Sequence, residues 1–178
     1  FLERKRLLAS AREVVSSKLL GDRVPHHEVT EEDRGDRRGA FVSLHMNNEL
    51  RGCIGVVTSD QPLVETIVAM ALGAGFEDPR FPPLTIAELP RVTFEISLIS
   101  QPVEVAGVDQ IVAGRDGVVV SSGSRRALLL PQVAAQIGAT SSDFLDAACR
   151  KAGLPTGAWQ WPGTRIESFT AEVFAEEQ

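Results

Sequence analysis

The sequence predicts an α+β fold: a mainly antiparallel sheet flanked by helices. Three observations carry that prediction. The elements read in the order helix, hairpin, helix, strand, hairpin, two helices, strand. The strands come mostly in antiparallel pairs joined by short turns, not singly between helices as in parallel units. The chain has 178 residues, 43% of them apolar, enough for one domain with a sizeable core or for two small lobes sharing one. We read 1–178 as a single domain.

Taken in order, residues 2–20 form an amphipathic helix. Leu7, Leu8, Ala11, Val14, Val15 and Leu19 recur at helical spacing, and Gly21 stands at the C-terminal cap position. Residues 22–38 are a charged loop containing His26 and His27. Adjacent histidines point apart and lack a third ligand nearby, so no metal is expected there. Ala40–Met46 alternates as a strand, with Ala40, Val42, Leu44 and Met46 on one face. Asn47–Asn48 tolerates positive φ and turns the chain into a second strand, Leu50–Val57. Ser59 or Asp60 caps the next helix, whose stripe is Leu63, Ile67, Ala71 and Ala74, and Pro62 suits its first turn. Asp78–Pro79–Arg80–Phe81–Pro82–Pro83–Leu84 follows as a stiff, extended loop. It either presents Asp78, Arg80 and Phe81 as a binding surface or is an ordered connection whose Asp78 and Arg80 satisfy backbone groups. Arg91–Ile99 is a strand with Val92, Phe94, Ile96 and Leu98 inward. Gly114–Arg115–Asp116–Gly117 is a turn, and Val118–Val120 pairs with Arg126–Leu130 around Ser121–Ser122–Gly123–Ser124. That tip lacks the order and the strand-to-helix setting of a phosphate loop. Pro131 opens a helix that ends at Gly138, and Thr140–Ser142 opens another that ends at Gly153. Trp159, Trp161 and Pro162 form an aromatic loop before a final strand over 164–175.

The totals exclude several classes. A formal net charge of −6 and a pI near 5.1 speak against a binder of the nucleic-acid backbone. The longest weakly polar stretch, Pro62–Phe76, carries Glu65 and is too short to span a bilayer, so no membrane association is expected. Cys53 and Cys149 make neither a disulfide framework nor a zinc motif. Reduced thiols in a cytoplasm are the simplest reading, and no cofactor is expected.

The chemistry gathers at Glu49–Leu50–Arg51–Gly52–Cys53–Ile54–Gly55. Glycine weakens a strand, so two of them imply a bulge or a close backbone approach. Regular alternation puts Leu50, Ile54 and Val56 on one face and Arg51 and Cys53 on the other. The latter two are then roughly 7 Å apart at the backbone, where Arg51 can stabilise a Cys53 thiolate directly or through a bound anion. A bulge at Gly52 or Gly55 would change that geometry. His45, which faces Leu50 across the turn, is the best candidate base but at most diagonal to Cys53. The bland alternative is a small buried cysteine in a glycine-tightened hairpin.

Four segments together resemble the AMMECR domain family: Leu50–Arg51–Gly52–Cys53–Ile54–Gly55; Asp78–Pro79–Arg80–Phe81–Pro82–Pro83; Leu129–Leu130–Pro131–Gln132–Val133–Ala134; and Lys151–Ala152–Gly153–Leu154. The resemblance runs from about Phe41 to the C-terminus, and less firmly over the first helix. Bacterial and archaeal members are called AmmeMemoRadiSam system protein A. The resemblance implies a larger and a smaller lobe, with the Arg-Gly-Cys-Ile-Gly segment near the groove between them. It also implies functional linkage to Memo-like and radical-SAM proteins, but no settled activity. A nucleic-acid role supposed for human members finds no support in this acidic chain.

Two functional readings stay open. In one, a binding module grips a small anionic ligand or a protein partner through Arg51, Gly52, Gly55, Asp78, Arg80, Phe81, Gln132 and Lys151. There Gln132 contributes its amide and a helix N-terminus. In the other, an enzyme uses Cys53 as nucleophile with Arg51 lowering its pKa and His45 as base.

Overall fold

The structure, a computed structural model, describes residues 2–177. In chain order its elements are α1 (Leu2–Leu20), α2 (Glu31–Gly35), β1 (Arg38–Met46), β2 (Glu49–Thr58), α3 (Leu63–Phe76) and β3 (Val92–Ile99). There follow β4 (Val103–Glu104), β5 (Asp116–Ser122), β6 (Arg125–Leu129), α4 (Pro131–Ile137), α5 (Ser141–Lys151) and β7 (Arg165–Ala175). The mixture of helices and antiparallel ladders is the α+β class expected. The chain divides into two units. One runs to Ile99 and resumes at Glu172, and the other is Ser100–Ala171.

In the first unit the strand order is β2–β1–β3, with β2 at the edge. Ala40, Val42 and Leu44 of β1 and Phe94 and Ile96 of β3 alternate onto one face and are fully buried there. Leu7, Ala11, Val14 and Val15 of α1 and Leu63, Ile67 and Ala71 of α3 join them in one core. Each large aliphatic buried this way contributes about 1.5–3 kcal/mol. The charged residues of α1 are anchored as well. Arg6 reaches Asp33 at 2.8 Å, and Arg12 binds Glu176 and the Val92 carbonyl.

The charged loop expected over 22–38 is therefore only partly a loop. It contains α2, started by a capping box in which Thr30 and Asp33 exchange hydrogen bonds, and Asp33 is wholly buried against Arg6. Other boundaries differ from expectation as well. Neither Ser59 nor Asp60 caps α3: Pro62 precedes it without a side-chain cap, and the Ser59 hydroxyl bonds Thr66 instead. Arg91 lies in a 3-10 turn before β3. Asp116 and Gly117, read as turn residues, already belong to β5.

The β1–β2 hairpin turns through Asn47 and Asn48, both with positive φ. Met46 pairs with Glu49 and His45 with Leu50. The register then slips, and Leu44 pairs with Gly52. Arg51 is the extra residue of a β-bulge. Leu50 consequently leaves the core face on which regular alternation had put it, and is 38% exposed. Ile54 and Val56 keep that face, paired with the buried Val42 and Ala40.

Gly52 is required by α3. A Cβ on Gly52 would collide with the carbonyl oxygen of Ala74, which is helix backbone. Across the same contact, Gly73 admits Ile54, whose Cγ2 would lie 3.0 Å from a Cβ there. On the opposite face, Gly55 lies under the ring of Phe41.

In the second unit β5 pairs with β6 and with β7, and β4 pairs with β7. Val118, Val120, Phe144, Leu145, Ala148 and Cys149 fill its core. α4 starts at Pro131 and stops at Gly138, whose φ is +60°. α5 begins at a Thr140–Asp143 capping box. No helix among the described residues is long and apolar enough to cross a membrane.

The two motif glycines make a testable contrast. Gly52→Ala is expected to cost about 3 kcal/mol, at the upper end for an overpacked core, because a helix backbone must move. Gly55→Ala is expected to cost clearly less, because the half-buried Phe41 ring can rotate away. Urea midpoints of the two variants check this, and equal losses would sink it.

Candidate functional site

The bulge decides what each motif side chain does. Arg51 turns to the segment after α3 and is nearly buried. Its Nε donates to Glu88 Oε1 at 2.8 Å and its Nη2 to Oε2 at 3.2 Å, a two-pronged ion pair. Glu88 also accepts from the Thr85 amide and hydroxyl. The Arg51 guanidinium and these Thr85 bonds together hold the Glu88 pKa down to about 2, against the effect of burial. Arg51 is thus committed to a carboxylate. It is not the cation expected beside Cys53.

That position belongs to Arg80. The Asp78 carboxylate is buried, and its Oδ2 accepts the Cys53 amide at 2.9 Å. Arg80 binds both Asp78 oxygens, and its Nη2 also donates to the Cys53 carbonyl at 3.3 Å. The guanidinium holds the Asp78 carboxyl well below the usual range, helped by the Cys53 and Arg80 amides and opposed by desolvation. Asp78 raises the Arg80 pKa in turn, with a smaller contribution from Cys53. The Arg80 side chain is nevertheless 57% exposed. Phe81 is within reach of both cations, its ring centroid 6.0 Å from Arg51 Cζ and 5.5 Å from Arg80 Cζ.

Cys53 pairs with Ser43, and Ser43 pairs with Glu95 on the next strand. All three therefore share the face away from the helices. The Ser43 hydroxyl donates to Cys53 Sγ at 3.2 Å, and Cys53 is half-buried. His45 shares this face but turns towards β3. Its Nε2 lies 3.7 Å from Glu95 Oε1 and carries no hydrogen bond among the described residues. It lines a surface cavity of about 250 Å³ with Asn48, Thr93, Glu95, Ala175 and Glu176. The diagonal placement expected of His45 holds, and its partner is Glu95.

The structure thus gathers Arg51, Gly52, Cys53, Gly55, Asp78, Arg80 and Phe81 in the first unit. Gln132 and Lys151 belong to the second. Gln132 is half-buried in α4, a helix of only seven residues and too short to add the dipole expected of it. Lys151 donates to the Leu128 carbonyl at 2.9 Å, an edge contact of β6. Among the described residues no group of three or more His, Cys, Asp or Glu could hold a metal ion. Sequence reading did not single out Ser43, Glu88 or Glu95 as site residues. The Thr85–Glu88 spacing was a usable signal for Glu88, since it has the form of a capping box.

A family model described as AMMECR1 matches residues 8–174. Protein TK0174 of Thermococcus kodakarensis is 40% identical over 160 residues, which cover 84% of this chain and 78% of that protein. Protein MJ0810 of Methanocaldococcus jannaschii is 37% identical over 175 residues, 93% of this chain and 86% of that one. The crystal structure of the uncharacterised protein PH0010 from Pyrococcus horikoshii matches with a TM-score of 0.89 at 36% identity, covering 96% of this chain and 90% of that chain.

Removing the carboxylate of Glu88 leaves Arg51 nearly buried and unpaired, so Glu88→Ala is expected to cost about 3 kcal/mol at neutral pH. The sign of the pH effect follows from the depressed Glu88 pKa. The pair's contribution is full above 4.5 and is lost as pH falls towards about 2. Denaturation of wild type and Glu88→Ala across that window checks this: the gap between them should close on acidification, and a constant gap refutes it.

Proposed function

This chain belongs to the AMMECR1 family, and we propose that its Arg51–Gly55 segment with Arg80 is a binding surface for an anionic group. The group is carried by a small ligand or by a protein partner. The observation that carries this reading is the state of Arg80. Asp78 and the Cys53 carbonyl fix one edge of the guanidinium, yet more than half of the side chain stays open beside half-exposed Cys53. A guanidinium held in place loses little entropy on meeting a carboxylate or phosphate. Arg51 serves the surface indirectly, by anchoring the loop that carries Arg80. The Memo-like and radical-SAM proteins implied by the resemblance are the partners this reading favours.

Titration of inorganic phosphate into ¹⁵N-labelled protein tests the ligand half. The Cys53 and Arg80 amides should shift in wild type and stand still in Arg80→Gln. Equal shifts in both proteins, or none in wild type, overturn it. For a Memo-like or radical-SAM partner, Arg80→Glu should weaken capture at least about tenfold.

A second reading, Cys53 as a nucleophile, is favoured by one contact. The Ser43 hydroxyl donates to Sγ at 3.2 Å, a bond that suits a thiolate. In that reading Arg80 replaces Arg51 as the nearby cation. Alkylation by iodoacetamide against pH separates the two. The binding reading expects Cys53 to react no faster than a model thiol at neutral pH, with buried Cys149 silent. A markedly faster reaction with an acid-shifted inflection would favour the enzyme.

A further inference from the structure

β2 is an edge strand, paired on one side only, with β1. An edge strand presents a row of unmet amides and carbonyls on which another strand can add. Cys53 meets its partner Ser43 at a position where its own amide and carbonyl point outward, away from β1. Both are satisfied by one pair of side chains. Asp78 Oδ2 accepts the amide at 2.9 Å, and Arg80 Nη2 donates to the carbonyl at 3.3 Å.

In an antiparallel ladder a hydrogen-bonded pair exchanges both bonds between the same two residues: one accepts the other's N–H and donates to its C=O. Asp78 and Arg80, locked to each other at 2.7 Å, offer Cys53 that combination of one acceptor and one donor. The period of the strand gives Gly55 the same outward backbone direction. No hydrogen bond from outside β1 reaches its amide or carbonyl among the described residues. The strand's open backbone therefore begins where the side-chain pair ends.

We propose that Asp78 and Arg80 form an edge cap, standing in for the opposing residue of a neighbouring strand. Their removal turns the outer edge of β2 into a surface on which a second copy of this chain adds its own β2, antiparallel about a two-fold axis. A two-fold pair of identical strands is antiparallel by symmetry and closes on itself, so the product is a dimer. The Arg51–Glu88 ion pair keeps the far end of the loop in place, so loss of the cap opens the edge without freeing the whole segment.

The test compares wild type, Asp78→Ala/Arg80→Ala and Arg80→Ala. Sedimentation over a range of concentrations reads assembly, and amide hydrogen exchange reads residues 50–57. Wild type should sediment as a species without β2 pairing, with the Cys53 amide protected and the Gly55 amide exchanging fast. The double variant should self-associate at least about tenfold more tightly than wild type, and the dimer should protect the Gly55 amide. Should the double variant fail to fold, Arg80→Ala alone decides, since its side chain is largely exposed. It should also dimerise, more weakly, with Gly55 protected. A folded variant that stays monomeric with Gly55 exchanging freely overturns the proposal, whatever the protection of Cys53. So does a wild type that already protects Gly55 in a dimer, and so do open-ended polymers without Gly55 protection, which would assign the new contact to another edge.

Discussion

The contact between Gly52 and the Ala74 carbonyl governs the first unit. Only the absence of a side chain at Gly52 lets α3 lie so close to β2. The helix then ends at Phe76, two residues before Asp78, so the Asp78 carboxylate arrives at the Cys53 amide without a long excursion. From there the proline-stiffened chain carries Arg80 to the Cys53 carbonyl and Glu88 to Arg51. Each later contact assumes the earlier one. A helix displaced outward would leave Asp78 short of the strand and Arg51 without its carboxylate.

The two motif arginines consequently differ in kind. Arg51, moved out of register by the bulge, is buried with Glu88 and acts on the fold. Arg80 is held by a buried carboxylate and faces solvent, so it is the one that can meet another molecule. The acidic character of the chain fits this economy of cations. Arg4, Arg6, Arg12 and Arg38 each have a carboxylate partner as well.

Elements whose signals are local were readable from the chain. Pro131 and Gly138 bound α4 to the residue, because a proline start and a left-handed glycine stop act within one turn. The Asn47–Asn48 turn gave the pairing of His45 with Leu50 correctly, since two positive-φ residues fix the register next to them. Legibility ended one residue further on. The two glycines announced a bulge or a close approach, and the structure has both, at Arg51 and at Gly52. Placing the extra residue at Arg51, however, depends on the contact of Gly52 with α3, between residues more than twenty positions apart. The site suffered the same way. Its glycines, cysteine and arginines were visible as residue types, but the exchange of roles between Arg51 and Arg80 depends on where a loop lands. Ser43 and Glu95 looked like ordinary polar positions of alternating strands.

Glu176 has a bearing on how the chain is made. It binds Arg12 of α1 through two bonds and accepts the Phe94 amide, so the N-terminal unit takes one of its ties from nearly the last residue described. Domains on a ribosome tend to fold in the order they emerge. Here α1, β1 and β3 leave the exit tunnel long before Glu176, and must wait with their sheet incompletely tied until the intervening unit has been synthesised. The nascent chain therefore carries a first unit that lacks its Glu176 ties until the whole of the second unit has been synthesised.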